Sequence, residues 1–171
     1  MLDLRTITVL SGLFAVIACL TAIASSPIGN PDQEAATAAA VRYHLREFLE
    51  FNNLAAGDEK LKEIVICVTS DVPLNISLVS QKLTDTIIRT VPATSCSSKT
   101  VEGSFGMFVS ITNYFGPDGE AAGHLAVRRV SCATTRRCVI DIDERGSGSR
   151  FWVERSGQIW KVMDARLRWI V

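Results

Sequence analysis

Histidine occurs only twice in 171 residues, so imidazole chemistry has few places to reside. No C-x-x-C pair and no histidines at ligand spacing occur, which excludes the common zinc patterns. No G-x-S-x-G elbow is present, so serine-hydrolase chemistry has no foothold. Gly146-Ser147-Gly148 is followed by no helix that would aim its N-terminus at a phosphate. Net charge is missing too. Eighteen Lys and Arg balance eighteen Asp and Glu, so no global field points to nucleic acid. With 47% apolar and 21% charged residues, disorder and low complexity are also excluded. No catalytic residue, no cofactor and no metal emerges from the composition or the motifs.

What is present begins with an address. Residues 6–31 carry no charge, and an apolar stretch runs from Ile7 to about Ala24 behind a head holding Asp3 and Arg5. The small-x-small triplet Ala22-Ile23-Ala24 reads as the end of a signal peptide over residues 1–24, cut before Ser25. Two alternatives stay open. Val16-Ile17-Ala18-Cys19 resembles a bacterial lipobox, with Cys19 as the lipidated residue. The apolar stretch is also long enough to serve as an uncleaved anchor. All three place the rest of the chain outside the cytoplasm, periplasmic or secreted, with the membrane involved only through the leader. Residues 25–39 are expected to be a linker and helix start, and residues 40–171 a single domain.

Cysteine parity agrees with export. Cys67, Cys96, Cys132 and Cys138 form an even set in that domain, which favours disulfides. Cys132 and Cys138 flank a polar turn between two strand-like runs, so they are expected to face each other across a hairpin. Cys67 then pairs with Cys96. On the chain-entropy model the short loop is worth roughly 2.4 kcal/mol and the long one roughly 3.6 kcal/mol.

The domain reads as α+β. Asn30-Pro31-Asp32-Gln33 is a helix start with a capping asparagine and proline at the first position. The helix extends to about Asn52, with Val41, Leu45, Phe48 and Leu49 on one face and Gly57-Asp58 as the stop. Ile64-Val65-Ile66-Cys67-Val68 is a buried strand. Asn75 caps a short second helix carrying Ile76, Val79 and Leu83. Strands follow over 86–91, 107–115, 123–132, 138–143, 150–155 and 158–171, joined by glycine-rich turns. Both helices are expected to pack on a curved antiparallel sheet ending in a β-meander.

Charge is balanced overall but divided along the chain. Residues 121–171 hold ten basic and five acidic side chains, and residues 30–120 hold seven and twelve. Nine of the ten basic groups are arginines, whose planar forks suit bidentate pairing with carboxylates or phosphates. Arg128, Arg129, Arg136, Arg137, Arg150 and Arg155 are therefore the expected surface for a protein partner with an acidic face. Asp141 and Asp143 imitate the start of a calcium loop, but Arg145 and Trp152 occupy positions that need oxygen ligands. They read instead as the outward half of a strand. His44 and His124 read as partly buried structural residues, and Trp160 as core.

The order of landmarks resembles a scattered group of small exported bacterial proteins: leader, helix, the strand with Cys67, a helix, Val91-Pro92-x-x-Ser95-Cys96, then a meander ending near Trp160-Lys161-Val162. The helix on a curved sheet is also similar, distantly, to the cone-shaped fold of nuclear transport factor 2 and its relatives. The first resemblance implies a small exported domain and supplies no functional residues. The sequence is therefore read as an exported, disulfide-stabilised, non-enzymatic module that binds a macromolecular partner. The alternative, implied by the cone fold, is an enzyme or small-ligand carrier with a pocket between helix and sheet.

Overall fold

The computed structural model describes residues 30–52, 63–80, 83, 87–102 and 110–171. The expected leader, with Cys19, Ala22, Ala24 and Ser25, lies outside the described residues, as do the Gly57-Asp58 stop and the start of the strand expected over 107–115. No helix among the described residues is long and apolar enough to cross a membrane.

The first helix, α1 (Pro31–Phe51), starts where its chemistry requires. The Asn30 side chain accepts from the Asp32 N–H at 3.0 Å, Pro31 needs no donor partner, and Asp32 and Glu34 complement the positive helix end. Residues 36–41, four of them alanines, are all buried, and Leu45 and Leu49 continue the buried face. Phe48, expected beside them, sits at the margin, 36% exposed. The short helix α2 (Ile76–Ser80) is capped by Asn75, which accepts from the Ser77 N–H and hydroxyl. Arg42 ties the two helices together by donating to the Leu78 carbonyl at 2.6 Å.

Eight strands form one sheet: β1 (Ile64–Ser70), β2 (Ile88–Pro92), β3 (Ser97–Glu102), β4 (Ser110–Phe115), β5 (Ala121–Thr134), β6 (Arg137–Glu144), β7 (Ser147–Ser156) and β8 (Ile159–Ile170). The spatial order is β2-β1-β5-β6-β7-β8, with the β3–β4 hairpin branching from the start of β5. The α+β class and the terminal meander match the sequence reading. Gly146 and Gly157, at φ 86° and 62°, turn β6 into β7 and β7 into β8, a backbone that glycine adopts without strain. Two features were not legible. Strand β1 runs parallel to both neighbours, and α2 lies on the crossover that the parallel β1–β2 pair requires. Strand β3 is exposed along its whole length and is held by pairing with β4.

Both expected disulfides are present. Cys67, buried in β1, bonds to Cys96, which follows a short 3-10 turn (Ala93–Ser95) and leads into β3. Cys132 and Cys138 lie directly opposite each other on β5 and β6, with Cα atoms 4.0 Å apart. Helix α1 lies across the meander and its buried face joins Leu125, Val127, Ile140, Ile142, Phe151, Val153 and Trp160 in one core. Each large side chain so buried stabilises the fold by about 1.5–3 kcal/mol. Trp160 is in that core, 8% exposed, as its position in the last hairpin predicts.

Candidate functional site

Alternation along β6 divides the sheet into two faces. Ile140 and Ile142 turn to the helix, and Asp141 and Asp143 turn away from it. Strand register then builds the opposite face row by row. Arg129, Asp141, Arg150 and Arg166 form one row across β5, β6, β7 and β8. The next row is Ala126, Asp143, Gly148 and Trp169. On the other side lie Ser131, Val139, Trp152 and Asp164. The helix-free face is thus a lattice of guanidiniums, carboxylates and two indoles.

Asp141 is its centre. Arg150 donates to both carboxylate oxygens, through Nε at 2.7 Å and Nη2 at 2.9 Å, and Arg168 stands 3.8 Å away. The side chain is only 4% exposed. The Arg150 hydrogen bonds hold its carboxyl below the usual range; burial opposes this, and the charges of Arg168, Arg150 and Arg129 assist. Asp143 takes Arg168 at 3.2 Å and Arg128 at 3.4 Å. Arg166 pairs with Asp164 at 3.0 Å and lies 5.1 Å over the Trp152 ring, within cation–π range. Arg128, Arg129, Arg150, Arg166 and Arg168 thus gather around Asp141, Asp143 and Asp164, with Asp71 3.9 Å from Arg128 and Glu154 beside Lys161 further along the face. Arg129, opposite Asp141, has no ion pair within 4 Å among the described residues.

The six arginines expected to act together are separated by the fold. Arg128, Arg129 and Arg150 share the helix-free face, and Arg137 lies at its edge, paired with Glu154 at 3.0 Å. Arg136 sits in the β5–β6 turn. Arg155 reaches the start of α1 and holds Asp32 at 2.9 Å. Sequence reasoning missed Arg166 and Arg168, which complete the face. Their signal was the run Asp164-Ala165-Arg166-Leu167-Arg168, whose charges alternate with apolar residues as on a half-exposed strand.

A cleft of about 990 Å³ opens beside this face, where β4 leaves β5 and β6 takes over the pairing. His124, Tyr114, Arg128, Asp143, Arg145 and Trp169 help to line it. The His124 ring stacks on Tyr114 at 4.1 Å, and its Nε2 is 3.1 Å from the Thr69 hydroxyl. Burial, and then the Arg128 charge, push the His124 pKa below its ordinary value, so the ring is neutral at pH 7. His44 lies on the other side of the sheet, 3.2 Å from Glu144 and edge-on to Phe151. The Glu144 carboxyl is held low by the His44 hydrogen bond against its burial, with help from Ser147. Both histidines are thus held by side-chain partners. Among the described residues, side chains of α1 and of the sheet pack together in one core. Among the described residues no group of three or more potential ligands is placed to hold a metal ion.

Comparison with family models, curated proteins and solved structures returns no match. No family, relative or solved structure therefore supports the likeness to small exported proteins or to the nuclear transport factor 2 fold.

Proposed function

We propose that this protein is an exported, non-enzymatic binding module that holds a partner with an acidic surface against the helix-free face of its sheet. The two disulfides are consistent with an oxidising, exported environment. The observation that carries the reading is the row Arg129–Asp141–Arg150–Arg166. A buried carboxylate holds Arg150 in a fork with Arg129 opposite it, and the face keeps a local excess of positive charge in a chain whose net charge is zero. Preset forks lose less freedom on meeting carboxylates than mobile side chains do.

The zero net charge makes a simple test specific, since the whole molecule has no pull on a polyanion. Labelled poly-glutamate is titrated against the protein and against the double variant R128E/R129E at several salt concentrations. Binding should weaken steeply with salt, and the reversal should lower affinity by about tenfold or more. Equal binding by both proteins would remove this face as the site.

A further inference from the structure

Strand β8 ends the sheet. Among the described residues β7 is its one neighbour, so a twelve-residue strand presents a free edge. Long edge strands are natural templates for pairing with another chain. This edge is also where apolar surface collects. Of the ten large hydrophobic residues exposed among the described residues, six are Ile159, Met163, Leu167, Trp169, Ile170 and Val171.

The pattern on β8 is self-complementary. Register with β7 puts Trp160, Val162, Ala165, Leu167 and Ile170 on the helix side, and Lys161, Asp164, Arg166 and Trp169 on the helix-free side. Met163 and Arg168 are the extra residues at the two register shifts. Consider a second β8 laid antiparallel about a two-fold axis through Ala165, normal to the sheet. Asp164 of each copy then faces Arg166 of the other. Beyond them Val162 meets Leu167, Lys161 meets Trp169, and Trp160 meets Ile170. The extra residues fall on opposite sides of the axis, so the shift in one strand is matched by the shift in the other and the faces stay in step. Centring the axis one residue away sets Asp164 against Asp164 or Arg166 against Arg166, which repel. Only one placement near the centre is satisfied.

We infer that the protein forms a two-fold dimer by pairing β8 with β8 of a second copy in this register. The contact is isologous and closed, so it stops at two chains. An axis normal to the sheet keeps both helix-free faces on one side. The dimer therefore joins two arginine lattices into a single platform, with Arg166 and Asp164 of both chains at the seam.

Sedimentation equilibrium of the disulfide-bonded chain, with no partner present, reads this directly. The wild type should sediment as a dimer of the 18.6 kDa chain, less any leader removed on export. R166D places two Asp–Asp contacts at the centre and should weaken dimerisation about tenfold or more. The swap D164R/R166D restores opposite charges across the seam and should restore the dimer. Both positions are solvent-facing, and circular dichroism confirms that each variant is folded. A monomeric wild type, assemblies larger than two, an R166D dimer of wild-type strength, or a swap that stays monomeric would each overturn the proposal. Because no ligand is used, these outcomes are independent of poly-glutamate binding, which a monomer would still show if only the dimer were wrong.

Discussion

Removing the two disulfides one at a time should cost unequal amounts, and loop length sets the inequality. Cys67 and Cys96 are 29 residues apart, and Cys132 and Cys138 are 6 apart. In the unfolded chain the longer link forbids more conformations, so its loss costs about 3.6 kcal/mol against about 2.4 kcal/mol for the shorter. Each pair contributes one buried sulfur, at Cys67 and at Cys138, so replacement by alanine removes a similar packing contribution from both variants. The contrast of about 1.2 kcal/mol therefore reports the loops themselves. Urea unfolding followed by tryptophan fluorescence is the assay. With a slope near 2 kcal/mol per molar urea, the midpoint should fall by about 2 M for C67A/C96A and about 1 M for C132A/C138A. The two loops do not overlap, so the costs should add to about 6 kcal/mol in the quadruple variant. That is comparable to the whole stability of an ordinary domain, about 5–15 kcal/mol, and the fully alanine-substituted chain should be largely unfolded at 37 °C. A short-loop variant as unstable as the long-loop one would refute the reasoning.

Replacing Arg150 with methionine leaves the Asp141 carboxylate buried without its main partner. The Asp141 carboxyl lies below its ordinary pKa of 3.8 in the fold, so its contribution is fully present above that value and is lost as pH falls through the lower, folded one. R150M should therefore melt well below wild type at pH 7, and the gap should close in acid, where the stranded carboxyl protonates; a gap independent of pH would contradict this. Gly148 is overlain by the Trp169 indole and the Asp143 carboxylate, and a Cβ there would collide with both. G148A should displace Trp169, shift fluorescence to longer wavelength and cost about 1–3 kcal/mol, whereas unchanged emission would show that the indole does not rest there.

Much of the fold was legible because its signals are local. Asn30 and Asn75 cap helices through their own side chains, and the glycine turns fix the meander hairpins. Cys132 and Cys138 face each other because a short turn leaves them little choice. Strand β3 was not legible, since Ser97-Ser98-Lys99-Thr100-Val101-Glu102 is exposed throughout and carries no burial pattern. The parallel setting of β1 was hidden for another reason: residues such as Val65 and Ala122 meet across a separation that no local pattern encodes. The arginine face was half legible. Composition showed an excess of guanidiniums in the meander, but strand register decided that Arg155 would serve the helix and that Arg166 and Arg168 would join Arg150.

The first half of helix α1 is buried on all sides and built largely of alanine, and that choice separates what the protein can change from what it cannot. Ala36, Ala38 and Ala40 have no accessible surface, so a larger side chain at any of them must displace what packs against that side of the helix. Arg129, Lys161 and Arg166 stand on the far side of the sheet and touch none of that packing. Substitutions there alter the surface field while the core stays as it is. The recognition face can therefore drift toward new partners, or be re-engineered for them, without renegotiating the fold that supports it.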